Sequence, residues 1–222
     1  MKFKINYKTL VVIFAFASYS QQAQSYGFGT ISTDLGIGGG IYSIGGHSPV
    51  NNTDNSGIAA IGTLPRINAE FGLLKFLGVG VSYRRETYGK KGDNKLRGTD
   101  MMLRANLHLA NSGDNFDLPI GVGFGVSTFG GSINSTQASK TSGSILNIHV
   151  SPHFYFGQHI GMFLSAGYNQ HIASKVSLID GPKTYTEADG ATWNMSGAYF
   201  EFGICGKIHL KNVSDNSLNK KR

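Results

Sequence analysis

The chain has 222 residues, 31 of them glycine, and a formal net charge of +7. Glycine at about 14% is twice the usual ~7%, yet it lacks an every-third spacing and comes with few prolines, which excludes a collagen-like chain. The single cysteine, Cys205, excludes an internal disulfide framework and any multi-cysteine zinc cluster. With 15% charged residues and 25 aromatics (14 Phe, 10 Tyr and 1 Trp), the chain is not of disordered composition. This balance points to an all-β protein in which many positions need no side chain.

Residues 1–25 read as an export signal. Lys2, Lys4 and Lys8 make a positive start, Leu10 to Ala17 is an unbroken apolar run, and Ala23-Gln24-Ser25 offers a small-x-small cleavage site. The run is too short to span a bilayer, which needs about 17–25 apolar residues. No cysteine lies near the cleavage point, so no lipid anchor is expected. Removing three lysines leaves 20 − 3 = 17 basic residues against 13 acidic ones, a mature charge of +4. The excess sits in Lys90, Lys91, Lys95 and Arg97 and in the terminal Lys220, Lys221 and Arg222. Neither cluster interleaves with aromatics, so no nucleic-acid partner is expected.

From Tyr26 onward the dominant signal is period-two alternation, the mark of strands with two unlike faces. Ile31, Thr33, Leu35, Ile37 and Ile41 alternate with Ser32, Asp34, Gly36, Gly38 and Gly40. Ile67, Ala69, Phe71 and Leu73 oppose Arg66, Asn68, Glu70 and Gly72, and Leu77, Val79, Val81 and Tyr83 oppose Gly78, Gly80, Ser82 and Arg84. Next, Met101, Leu103, Ala105 and Leu107 oppose Met102, Arg104, Asn106 and His108, and Ile120, Val122, Phe124 and Val126 oppose Gly121, Gly123, Gly125 and Ser127. Leu146, Ile148, Val150 and Phe154 oppose Asn147, His149, Ser151 and His153. Met162, Leu164, Ala166 and Tyr168 oppose Ser165, Gly167 and Asn169, with Phe163 an apolar exception. Ala198, Phe200, Phe202, Ile204 and Ile208 oppose Tyr199, Glu201, Gly203, Cys205 and Lys207. Eight strands of about ten residues suit tilted membrane crossings. The connections at 43–57, 88–98, 129–142 and 172–190 are long and polar, while those near 74–76, 110–117 and 157–160 are short. Alternating long and short ends are the pattern of a bacterial outer-membrane meander, with long loops outside and both termini in the periplasm.

The polar parity decides which face is which. A water-facing strand surface carries lysine and glutamate, whereas this one is rich in glycine, which would only weaken a solvated strand. Glycine suits a narrow interior. The same parity carries Arg66, Arg84, Arg104 and Lys207 against Glu70, Glu86, Asp100 and Glu201, four positives to four negatives. Pairing offsets the cost of confining charge, so these eight residues are expected to form a lumenal ion-pair network. Phe71, Tyr83, Phe154, Tyr168, Phe200 and Phe202 fall on the apolar parity near predicted strand ends, where interfacial aromatic girdles lie.

The segments LGVGVSYRRE at 77–86, LPIGVGFGVSTFGG at 118–131, GMFLSAGYNQ at 161–170 and YFEFGICGKIHLK at 199–211 resemble the small eight-stranded outer-membrane β-barrel family, in particular its Bacteroidetes-type members. The resemblance covers residues 28–211. It implies an eight-stranded antiparallel up-and-down transmembrane β-barrel over 26–211, preceded by the signal at 1–25 and followed by a polar tail at 212–222. Such barrels often end on an aromatic, and this chain departs from that by continuing past Leu210.

Little in the chain suggests chemistry. No G-x-G-x-x-G or P-loop is present, and alternate glycines are strand spacing. His149 and His153 are four residues apart, about 13 Å along a strand, too far for one metal ion. His108, His153 and His209 lie inward near the periplasmic strand ends and could converge, but polar filling is the preferred reading, and no metal or cofactor is expected. His149 and Ser151 are similar to the His-x-Ser pair of outer-membrane lipid A deacylases, although Pro152 follows and both share the lumenal parity of Asn147. Eight strands leave an interior just wide enough for side chains, which argues against a pore.

The leading expectation is a non-enzymatic outer-membrane barrel, monomeric, with a structural or surface-interaction role. Its partners would be outer-membrane lipids and lipopolysaccharide, with a surface partner at the four long loops. The alternatives are a lipid-modifying enzyme using His149 and Ser151, a narrow pore, and a soluble secreted barrel whose aliphatic face points inward around an apolar ligand.

Overall fold

Alternation of apolar and polar residues forces a sheet to present two unlike faces, and closing the sheet on itself removes its edges. The computed structural model describes residues 26–50, 52–89, 95–109, 115–132, 137–156, 159–180 and 182–210. The expected signal at 1–25, the tail at 212–222 and Lys90 and Lys91 lie outside the described residues.

The strands are β1 (Thr30–Ser48), β2 (Thr53–Thr63), β3 (Arg66–Gly72), β4 (Leu77–Gly89), β5 (Lys95–His108), β6 (Phe116–Asp117), β7 (Pro119–Ser132), β8 (Gln137–Val150), β9 (His153–Tyr155), β10 (Ile160–Asp180), β11 (Lys183–Thr186) and β12 (Asn194–His209). They form eight staves, because several pieces continue one another. β2 and β3 are parted only by Leu64 and Pro65, and the register against β1 runs unbroken from Thr63↔Gly39 to Arg66↔Gly36. Pro65 has no N–H to give to the ladder, but its carbonyl still accepts from Arg85 N–H at 3.0 Å. β8 and β9 continue in the same way across Ser151 and Pro152. Each stave pairs antiparallel with the next, and β12 pairs with both β10 and β1, closing the ring. Among the described residues no helix is long and apolar enough to cross a membrane.

The apolar parity faces outward. Leu103, Phe124 and Ile204 are 71%, 64% and 62% exposed, whereas Arg66, Arg84, Glu86, Asp100 and Glu201 are at most 1% exposed. A barrel folded in water would reverse these numbers, so the soluble barrel with an inward aliphatic face is overturned. The fold is an eight-stranded transmembrane barrel.

Two expectations need correction. First, the long polar loops are mostly strand. β1 and β2 enter 43–57, β4 and β5 enter 88–98, β7 and β8 enter 129–142, and β10 with β11 occupies much of 172–190. Alternation marks a strand only where one face meets lipid. Beyond the apolar band the outer face is polar too, and the pattern reads as loop.

Phe163, the apolar exception on the inward parity of its strand, points inward as that parity requires and fills the interior. It is buried beneath the Arg66 guanidinium, 4.9 Å from carbon to ring centroid. Gly36 makes room for it, since a β-carbon there would lie 2.5 Å from the Phe163 ring. Second, Tyr168, Phe200 and Phe202 face outward from the middle of β10 and β12 and not from their ends, because both staves extend farther than their alternation.

The upper lumen, at the end away from Thr30 and His209, carries an apolar core beside buried polar residues such as Thr141. Tyr42, Leu64, Tyr88, Phe129, Met195 and Tyr199 form a buried apolar cluster, backed by Ile44, Leu96 and Trp193. Gly98 leaves the space that the Phe129 ring occupies.

Candidate functional site

Below the aromatic cap the lumen is a column of charged and polar side chains. Arg66 on β3, Arg84 on β4 and Glu201 on β12 meet at its centre because each sits on the inward parity of its stave. Arg66 Nη1 lies 2.6 Å and Arg84 Nε 3.0 Å from the Glu201 oxygens. The Arg66 guanidinium is also 3.7 Å from Asp34, and Arg84 packs 4.3 Å over the Tyr199 ring. One carboxylate thus bridges two buried guanidinium groups, a charge-assisted arrangement that fixes three staves to one another.

Above this centre, Glu86 and Asp100 both approach His171, at 3.6 and 3.2 Å from Nε2. The Tyr88 hydroxyl donates to Glu86 Oε2 at 2.5 Å, and Arg84 Nη1 is 3.9 Å from Glu86 Oε1. Below it, His108 lies between Asp117, 2.8 Å from Nδ1, and Glu70, 2.8 Å from Nε2. Tyr26 and Asn106 donate to the same Glu70 carboxylate, and the Tyr26 ring stacks on His108. Tyr26 precedes the first membrane-crossing strand, and burial beside Glu70 pushes its hydroxyl far above the ordinary tyrosine range, so it remains a donor.

The eight residues expected to form one network are therefore divided. Arg66, Arg84, Glu86 and Glu201 come together. Glu70 and Asp100 turn to histidines, Arg104 directs its guanidinium to His149, and Lys207 lies 3.9 Å over the Tyr155 ring. Sequence reasoning missed His171. The inward series Ser165, Gly167 and Asn169 reaches it one step on, beyond Tyr168, where the apolar alternation stops. Phe129 likewise lies past the alternation of its strand, whereas Met195 lies before the alternation that begins at Ala198.

The proposed histidine constellations do not form. His108, His153 and His209 engage separate partners, with His209 2.9 Å from the Thr30 hydroxyl. His149 Nε2 faces the Arg104 guanidinium, a donor that cannot accept, so that nitrogen is the acceptor and Nδ1 carries the proton toward Asn147 Oδ1 at 3.0 Å. The lone pair a general base would need is already engaged. Ser151 lies 3.3 Å from His153, not beside His149. Asp34 approaches His153 at 3.8 Å through the same Nε2 that faces Ser151, so a relay with serine and carboxylate on opposite ring nitrogens is not built. The void bordered by Ser151, His153 and Asp34 is about 10 Å³, about the space of one water and too small for a lipid chain.

Similarity to solved structures agrees with this architecture. Neisserial surface protein A superposes with a TM-score of 0.52 at 15% identity, covering 81% of this chain and 97% of that one. The outer membrane protein OprG from Pseudomonas aeruginosa gives 0.55 at 13% identity, covering 85% and 100%. The outer membrane protein AlkL, determined in DMPC lipid bilayers, gives 0.52 at 12% identity, covering 85% and 94%. At these identities the likeness establishes the fold, that of small outer-membrane β-barrels. No protein-family model and no curated protein matches the chain.

Proposed function

We propose that this chain is a resident of the bacterial outer membrane, a monomeric, non-enzymatic barrel with a structural or surface-interaction role. Its lumen is closed by its own side chains. The observation that carries this reading is the opposition of an exposed aliphatic wall to a buried charged column. Among the described residues the buried centre and the aromatic cap fill the lumen with side chains, which disfavours the narrow pore. The signal at 1–25 supplies export, and the Bacteroidetes-type likeness of the four segments belongs to the same reading.

The outer wall supports anionic lipid as a partner. Arg85 follows Tyr83, the last of the outward apolar residues on β4, and Lys175 follows the outward Ile172 on β10. Arg97 and Lys140 are exposed on the strands between. These four cations border one open concavity of about 880 Å³. Cations just beyond an apolar band meet the phosphates of lipopolysaccharide, where charge attraction acts at close range. The upper rims of the staves are the surface open to a protein partner.

Membrane fractionation of expressing cells tests the reading. The wild-type chain should sediment with the outer membrane. A variant with Arg85, Arg97, Lys140 and Lys175 changed to Glu should bind lipopolysaccharide vesicles about tenfold more weakly at low salt, with less difference at high salt. Recovery of the wild type as a soluble periplasmic monomer overturns the membrane assignment. Unchanged vesicle binding by the variant overturns the lipid contact.

A further inference from the structure

The lumen holds two histidines, each between two carboxylates, and they are built differently. At His108 each ring nitrogen has its own carboxylate, both at 2.8 Å. A doubly protonated ring satisfies that geometry with one N–H per acid. At His171 both carboxylates approach the same nitrogen, Asp100 Oδ2 at 3.2 Å and Glu86 Oε2 at 3.6 Å. One N–H cannot serve two acceptors well, and Nδ1 has no hydrogen-bond partner. Glu86 Oε1 and Asp100 Oδ1 are likewise without hydrogen-bond partners, and all three residues are fully buried. Unpartnered atoms also occur on Arg66, Arg84 and Glu201, but here they fall on three side chains that are all metal-ligating types and that converge on one point.

We propose that Glu86, Asp100 and His171 form a binding site for a divalent transition-metal ion. Their donor atoms lie within 4.8 Å of one another. Ligands bonded at about 2.0–2.2 Å around one ion stand roughly 2.9–3.5 Å apart; the 3.2 Å separation lies inside that range and the 3.6 Å one just beyond it. One imidazole with two carboxylates suits zinc, manganese or ferrous iron better than calcium, which takes oxygen alone, or cuprous copper, which takes sulfur. The competing cation is weak. Arg84 stands 3.9 Å from Glu86 and is engaged by Glu201 at 3.0 Å.

The surroundings orient and seal the site. Tyr88 donates to Glu86, which is how an outer partner fixes a ligating carboxylate. The Phe129 ring meets His171 edge-on at 4.9 Å, and the buried cluster of Tyr42, Tyr88 and Phe129 roofs it. An ion bound here enters as the barrel folds and leaves slowly. It would tie β4, β5 and β10 across the lumen.

Zinc is the probe. The full chain is folded in detergent with equimolar zinc, dialysed against a chelator and analysed by elemental mass spectrometry, with folding checked by heat-modifiable gel mobility. The wild type and His108→Gln should each retain about one zinc per chain, while folded His171→Ala and Asp100→Asn should retain about tenfold less. X-ray absorption at the zinc edge should show one nitrogen and two carboxylate ligands. Should those two variants fail to fold, the wild-type stoichiometry and edge spectrum decide alone. A folded wild-type barrel without zinc, or undiminished zinc in His171→Ala, overturns the site. Neither result bears on the membrane assignment.

Discussion

Replacing Glu201 with alanine is expected to destabilise the barrel by about 3–5 kcal/mol, the cost of stranding buried charge. The carboxylate sits 2.6 Å from Arg66 and 3.0 Å from Arg84, and all three side chains are at most 1% exposed. Removing it leaves two guanidinium groups facing each other, with Asp34 at 3.7 Å from Arg66 and Glu86 at 3.9 Å from Arg84 as the nearest remaining carboxylates among the described residues. The asymmetry of buried ion pairs gives a second arm. Changing Arg66, Arg84 and Glu201 together to methionine removes charge and desolvation cost alike, and should bring the barrel back to within about 2 kcal/mol of the wild type. Urea unfolding of the refolded protein in lipid vesicles measures both. A loss below about 1 kcal/mol for Glu201→Ala would show that the central cluster contributes little, because exposed pairs are worth no more than that.

The second large effect falls on the opposite wall. Leu103 is 71% exposed within the outward series Met101, Leu103, Ala105 and Leu107 of β5. In water an arginine there would be tolerated. Facing acyl chains near mid-membrane, Leu103→Arg is expected to cost about 2–4 kcal/mol, falling toward zero for the same change near the interfaces. Arginine at Thr99, two residues above Met101 and between Arg85 and Thr128 in the ladder, is the matched control. The same unfolding assay reads the difference. Equal stability of the two variants would contradict a lipid-facing wall.

What could be read from the sequence follows the contrast between environments. Each stave was legible where one face meets lipid and the other a charged interior, as in Met101–His108 or Ile120–Ser127. The upper staves were not. Around Ser139–Ser144, Ser and Thr lie on both faces, and only their strand partners reveal the ladder. The inward direction of Arg66, Arg84, Glu86, Asp100, Arg104 and Glu201 followed from parity. Their partners did not, because parity fixes a face but not the stagger between staves. Glu70 and Asp100 thus go to His108 and His171, although opposite charges are counted nearby. The aromatic cap was hidden differently. Tyr88 and Phe129 fall in segments read as loop, Tyr42 and Met195 just outside the alternating strands, and closing the ring gathers them into one core.

The central claim is that the aliphatic parity touches lipid and the charged parity does not. Magnetisation transfer from acyl chains to the protein, measured by solid-state NMR on the native sequence in bilayers, tests it without substitution. Leu103, Phe124, Val126, Phe202 and Ile204 should receive transfer, while Arg104, Ser127 and Glu201 on the alternate positions should remain silent. Transfer to the charged parity, or none to the aliphatic one, would contradict the membrane-spanning barrel.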